Sequence, residues 1–246
     1  MTSLSPVQTA LRLAGMLVAA TMPTSGVRAQ DSAPGVNAYV TIANDYRQRG
    51  LSQLDSGVSW QLGVDYEHQS GFFVGGLAAN VEYAVEETWP EQREYVVDYY
   101  AGYAWGRRDW RFNVALGRYA YPDMAPDYDY NELTFSTTFR KRFSYAAGYT
   151  NRLYSRSYSA WYHEAGFAQP LRFDLELSAA LGEFHAALPG YDFDYTHWNV
   201  GLSKVIRRFA LDLRFFETTE DAPSILGNPD GDAWVLSVSY GIPFAN

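Results

Sequence analysis

The side chains best suited to acid–base or nucleophilic chemistry are four histidines, His68, His163, His185 and His197, in a chain without cysteine. The lack of thiols excludes disulfides, thiolate metal sites and cysteine nucleophiles. A hydrolytic triad needs a serine within reach of a histidine that an acid or amide orients. His163 shares an alternating face with Trp161, Ala165 and Phe167. Its expected neighbours on that face, Tyr145, Ala147, Tyr149, Leu177 and Ala179, include no serine or asparagine, so His163 reads as structural. His185 with Asp192 and Asp194 falls in what reads as a long solvated loop. Asn228-Pro229-Asp230-Gly231-Asp232 has oxygens suited to Ca2+ but lacks the length and final glutamate of an EF-hand loop, and reads as a turn. No glycine-rich loop cradles a phosphate. The expectation is a protein that is not an enzyme, with no cofactor and no metal.

A second set of residues could do a different chemistry, the selection of solutes by charge. Glu82, Asp98, Arg111, Asn113, Glu132, Glu164, Asp174, Glu176, Asn199, Asp212 and Arg214 fall on the polar side of alternating segments, as do Asp65, Arg140 and Arg152. If that side lines a pore, the excess of acids favours cations or neutral polar solutes. If the charges instead pair across a narrow bore, they plug it. The sequence leaves both open.

The elements that must position these residues are strands. Trp60, Leu62, Val64 and Tyr66 alternate with Ser59, Gln61, Gly63 and Asp65, the period of a half-buried strand. The same reading puts Phe73, Gly75, Leu77, Ala79, Val81 and Tyr83 on an apolar face opposite Asn80 and Glu82. It recurs through Tyr95–Trp105, Trp110–Leu116, Leu133–Phe139, Phe143–Tyr149, Phe173–Leu181, Trp198–Leu202, Phe209–Phe215 and Trp234–Tyr240. Less regular strands near Val36–Tyr46 and Ser157–Ala168 bring the number to about twelve. Short connections alternate with long ones, near Arg47–Gly57, Ala84–Arg93, Tyr121–Tyr130, Arg152–Ser157, Glu183–Asp194 and Glu217–Asp232. This is the asymmetry of an outer-membrane barrel, with short periplasmic turns and longer outer loops.

The expected fold is therefore all-β, an antiparallel up-and-down transmembrane β-barrel with both termini in the periplasm. Mean hydropathy is only -0.28 although aromatics reach 17%, because alternation averages an apolar lipid face with a polar lumen. Aromatics at strand ends flank aliphatic middles, which points the apolar face to lipid. Residues 1–29 read as a secretory signal, with Arg12, the apolar run Leu13–Ala20 and a cut after Ala29, and 30–246 as the barrel. A net charge of -9 excludes a general nucleic-acid binder. Partners are expected to be outer-membrane lipid, lipopolysaccharide and small polar solutes. The oligomeric state is open.

Asn44-Asp45-Tyr46-Arg47-Gln48-Arg49-Gly50-Leu51-Ser52-Gln53 leads into Gly63-Val64-Asp65-Tyr66 and then Ser70-Gly71-Phe72-Phe73-Val74-Gly75, with Ala79-Asn80-Val81 beyond. Together these resemble the N-terminal signature of the TorF-type porins of proteobacteria, also known as the Gcw-type conserved hypothetical proteins. The resemblance implies an outer-membrane barrel of similar length with a pore role.

Overall fold

The computed structural model describes residues 35–54, 57–83, 92–122, 129–153, 157–188, 191–219 and 231–243. The expected signal segment and Asn228–Asp230 of the loop motif lie outside these. Fourteen strands follow in order: β1 (Gly35–Ala43), β2 (Arg47–Gln48), β3 (Leu51–Ser52), β4 (Ser59–Glu67), β5 (Phe72–Tyr83), β6 (Gln92–Arg107), β7 (Trp110–Ala120), β8 (Tyr130–Phe139), β9 (Phe143–Thr150), β10 (Ser159–Pro170), β11 (Leu175–Leu188), β12 (Tyr191–Ile206), β13 (Phe209–Thr218) and β14 (Ala233–Ile242). β2 and β3 pair only with each other, and the other twelve pair antiparallel in chain order, β1 with β4. β1 also pairs with β14, so twelve strands close into a barrel. Closure leaves no sheet edge unpaired, the condition for strands to cross a bilayer. No helix among the described residues is long and apolar enough to cross a membrane.

Exposure decides which face points where. Trp60, Leu62, Val64 and Tyr66 are exposed while Ser59 and Gln61 are buried. The same sense holds along β8, where Leu133 and Phe135 are exposed and Glu132 is buried. In water such an apolar exterior would cost about 25 cal/mol per Å²; against hydrocarbon it costs nothing. Aromatic rings gather toward the two rims, as in membrane girdles. At the short-turn rim Trp110 meets Phe139 at 4.7 Å, Phe143 meets Phe167 at 5.3 Å and Phe209 meets Tyr240 at 5.1 Å between ring centroids. At the other rim Phe215 lies between Trp198 and Trp234.

Two expectations about the elements are corrected. Phe73, Leu77, Ala79 and Val81 face inward and are buried, whereas Phe72 and Val74 are exposed. The pairing with β4 imposes this, because Val74 sits opposite outward Tyr66 and Gly75 opposite inward Asp65. Both faces of β5 are largely apolar, so polarity alone could not orient it. The segment read as a long loop at Glu183–Asp194 is instead mostly strand. β11 runs to Leu188 and β12 resumes at Tyr191, with His185 opposite Asp194.

Inside, large side chains lie across glycines on the adjacent strand. Tyr39 covers Gly63, Tyr100 covers Gly75, Phe73 covers Gly102, Tyr162 covers Gly148, His197 covers Gly182 and Arg214 covers Gly201. Each pair is directly opposite in register. A narrow barrel needs this alternation of large and small to fill its interior without clash.

Candidate functional site

Residues 44–54 of the connection from β1 to β4 do not stay outside the barrel. They turn into the bore as the hairpin β2–β3, and Tyr46, Arg47, Arg49, Ser52, Gln53 and Leu54 are all buried. Its sequence accounts for its shape. Asp45 clamps both arms, accepting from Arg47 Nε at 2.8 Å and from Ser52 Oγ at 2.7 Å. The backbone N–H of Gln53 donates to Tyr46 O at 2.7 Å. Arg49 and Gly50 form the tip with φ of 50° and 84°, a left-handed pair that glycine adopts without steric cost. Glycine is required at position 50 for a second reason. A Cβ there would lie 2.6 Å from His197 Cβ and 2.6 Å from Thr218 Cγ2. The hairpin leaves the wall at the β1–β4 pair and its tip rests against β12 and β13.

Arg49 reaches another part of the wall. Its Nη2 donates to both carboxylate oxygens of Glu132 at 2.7 Å, and its Cζ stands 3.7 Å from the centroid of the Tyr162 ring. Tyr119 Oη also donates to Glu132, at 3.3 Å. Around this pair the long-loop half of the bore is filled. Tyr46 and Leu54 of the hairpin pack with Val81, Val96, Tyr130 and Phe184 of the wall. That contact explains the inward apolar face of β5.

The short-turn half differs. Inward Arg111, Asn113, Ser136, Glu176, Ser203, Asp212 and Ser237 are only partly buried. Asp65 accepts a hydrogen bond from Tyr100 Oη. Arg214 is fully buried between the halves, donating to Asn199 Oδ1 and Ser178 Oγ at 2.7 Å each and to Asp212 at 3.1 and 3.2 Å. The short-turn half of the bore is thus lined by partly buried polar side chains, and the long-loop half is filled by the folded-in hairpin.

The expected lumen residues Asp98, Arg111, Asn113, Glu132, Glu164, Glu176, Asn199, Asp212 and Arg214 lie at inward positions of their strands, as does Asp65. Glu82 shares the alternation of Val74 and Asn80 along β5, yet it is buried, and its backbone N–H donates to Gln53 O of the hairpin at 2.8 Å. Asp174 lies in the short turn after β10, exposed with φ of 57°. Arg140 sits in the turn between β8 and β9, and Arg152 in the bend past the end of β9. Asp174 lies before the start of a strand expected from Phe173, whereas Arg140 and Arg152 lie in connections, as segment ends at Phe139 and Tyr149 imply.

Sequence reasoning missed Arg49, Tyr162, His197 and Thr218. The available signal was the run Asn44–Gln53, which was read as a family signature beside a long loop rather than as a segment inside the barrel. His163 and His185 both face outward, His163 hydrogen-bonded to Glu183 at 3.1 Å and His185 to Asp194. Among the described residues no cluster could hold a metal ion.

A family model described as a bacterial protein of unknown function (Gcw_chp) matches residues 28–237. No curated protein matches the chain. Among solved structures it is similar to a KdgM porin in complex with disordered oligogalacturonate, at 10% identity over 85% of this chain and 99% of that one, with a TM-score of 0.51. It is also similar to the COG4313 outer membrane channel from Pseudomonas putida F1, at 9% identity over 87% of this chain and 97% of that one, with a TM-score of 0.52. The shared property is the fold, that of outer-membrane channels.

Proposed function

The chain belongs to the Gcw_chp family, and on that premise we propose that it is an outer-membrane channel for passive diffusion of small polar or cationic solutes. The observation that carries this is the sign of the inner wall. Among the described residues Asp65, Glu67, Asp98, Glu132, Glu164, Glu176 and Asp212 face inward from the wall, against Arg111 and Arg214, and the hairpin adds Asp45, Arg47 and Arg49, so acids stay in excess. An acidic polar bore within an apolar shell concentrates cations and repels anions. On this proposal the hairpin of residues 44–54, buried inside the barrel, governs flux. In this reading residues 1–29 are removed on export, the short turns and both termini face the periplasm, and the outer wall meets lipid and lipopolysaccharide. No residue acts as a catalyst.

A plugged structural barrel is the second reading, favoured by the buried Arg49–Glu132 pair and the Arg214 cluster. Planar-bilayer recording separates the two. The channel reading expects discrete, cation-preferring steps from the native protein and larger steps from Gly50→Val, whose side chain collides with His197 and Thr218 and unseats the hairpin. Folded protein that stays silent in both forms, or prefers anions, would overturn it.

A further inference from the structure

We infer that the wall around Glu132 and Tyr162 is a binding site for guanidinium-bearing solutes, with Arg49 occupying it as a tethered stand-in. The inference rests on the channel reading and names the solute class it selects. The wall supplies the two things a planar organic cation needs. Glu132 provides a buried carboxylate, held by Tyr119 and approached by Arg49 Nη2 at 2.7 Å to both oxygens. Tyr162 provides a ring face 3.7 Å from Arg49 Cζ, with Phe184 at 5.6 Å. Carboxylate and aromatic face together match a flat delocalised cation better than a compact ammonium.

The fit of Arg49 is incomplete, as expected of a stand-in. Its Nε is buried and makes no hydrogen bond, and neither does Oδ1 of Asp98. Asp98 and Glu164 both lie within electrostatic range of Arg49, and Glu164 lies within range of Arg214 as well, so Glu132 is not the only acid near the guanidinium. A metal ion is the poorer candidate, because no described cluster offers it enough ligands.

Tethering sets the competition. A segment on a short linker presents its group at an effective concentration on the order of millimolar. A free solute therefore displaces Arg49 only near or above that range, and binds more readily once Arg49 is gone. The test uses Arg49→Gln and Arg49→Ala in the full-length barrel, with ethylguanidinium as probe and ethylammonium as control, both at or below about 10 mM, the range the tether sets. In bilayers, ethylguanidinium is expected to block Arg49→Gln at a concentration at least tenfold lower than the native protein. Adding Glu132→Gln removes the block. In detergent, ethylguanidinium raises the thermal midpoint of Arg49→Ala and ethylammonium does not. A silent barrel whose midpoint still rises supports the site and overturns only the channel reading. Conducting variants with neither block nor shift, or with equal response to both cations, overturn the site. If Arg49→Ala does not fold, Arg49→Gln carries both measurements, since its amide can still donate to Glu132.

Discussion

Replacement of Arg214 by methionine keeps most of the side chain's volume and removes its charge. The guanidinium is fully buried and makes hydrogen bonds to Asn199, Ser178 and Asp212, lying flat over Gly201. The two bonds to neutral partners are worth about 1 kcal/mol each. Breaking a buried ion pair by removing one partner costs about 3–5 kcal/mol, because the other charge stays buried. Asp212 keeps some contact with solvent, its side chain being 17% exposed, which places the expected loss at the lower end, about 3 kcal/mol. The assay is denaturant unfolding of protein refolded into lipid vesicles, followed by tryptophan fluorescence. Adding Asp212→Asn to Arg214→Met removes the stranded charge and should recover about 1–2 kcal/mol of that loss. A single variant within 1 kcal/mol of native, or a double variant no better than the single, would refute the account of Arg214 as the buried tie between β11, β12 and β13.

Arginine at Leu133, which is outward and exposed, should cost about 2–4 kcal/mol in the same unfolding assay, whereas arginine at inward Ser136 should cost under about 1; equal costs would contradict the assigned faces. The chain has no cysteine, so single cysteines report cleanly. Val74→Cys should react with a lipid-soluble maleimide and Leu77→Cys should not, and the reverse pattern would restore the face that composition suggested for β5. The turn after β8 holds Arg140 and Lys141 at φ of 52° and 58°, a primed hairpin turn that Asn-Gly fits better. Arg140→Asn with Lys141→Gly should stabilise by about 1–2 kcal/mol, despite losing the exposed Arg140–Asp109 pair, and unchanged stability would show that the turn carries little strain.

Most strands were legible because lipid and bore differ so strongly in polarity. From Ser59 to Tyr66 every second residue belongs to one environment, and the letters show it. β5 was misread because a third environment intervenes. Its inward Ala79 and Val81 pack against Tyr46 and Leu54, which come from a connection rather than from a strand. No local pattern reveals that the connection enters the bore. The decision is made by Gly50 meeting His197 and Thr218, well over a hundred residues away, and by Arg49 meeting Glu132. The lumen set was partly legible for the same reason as the strands: a charge in mid-strand has only the bore to face. Asp174 failed at a strand end, where alternation stops carrying information.

The seam between β1 and β14 has a topological consequence. Thr41 and Ser239 join their hydroxyls at 2.7 Å across it, and Ala38 stands opposite Ile242, so the first and last strands start and finish at the same rim. Every strand of the barrel then has two neighbours and none is privileged. A short peptide joining the two ends, with the chain opened instead between β5 and β6, would give a circular permutant with the full set of strand neighbours. Only the order in which they emerge from synthesis would change.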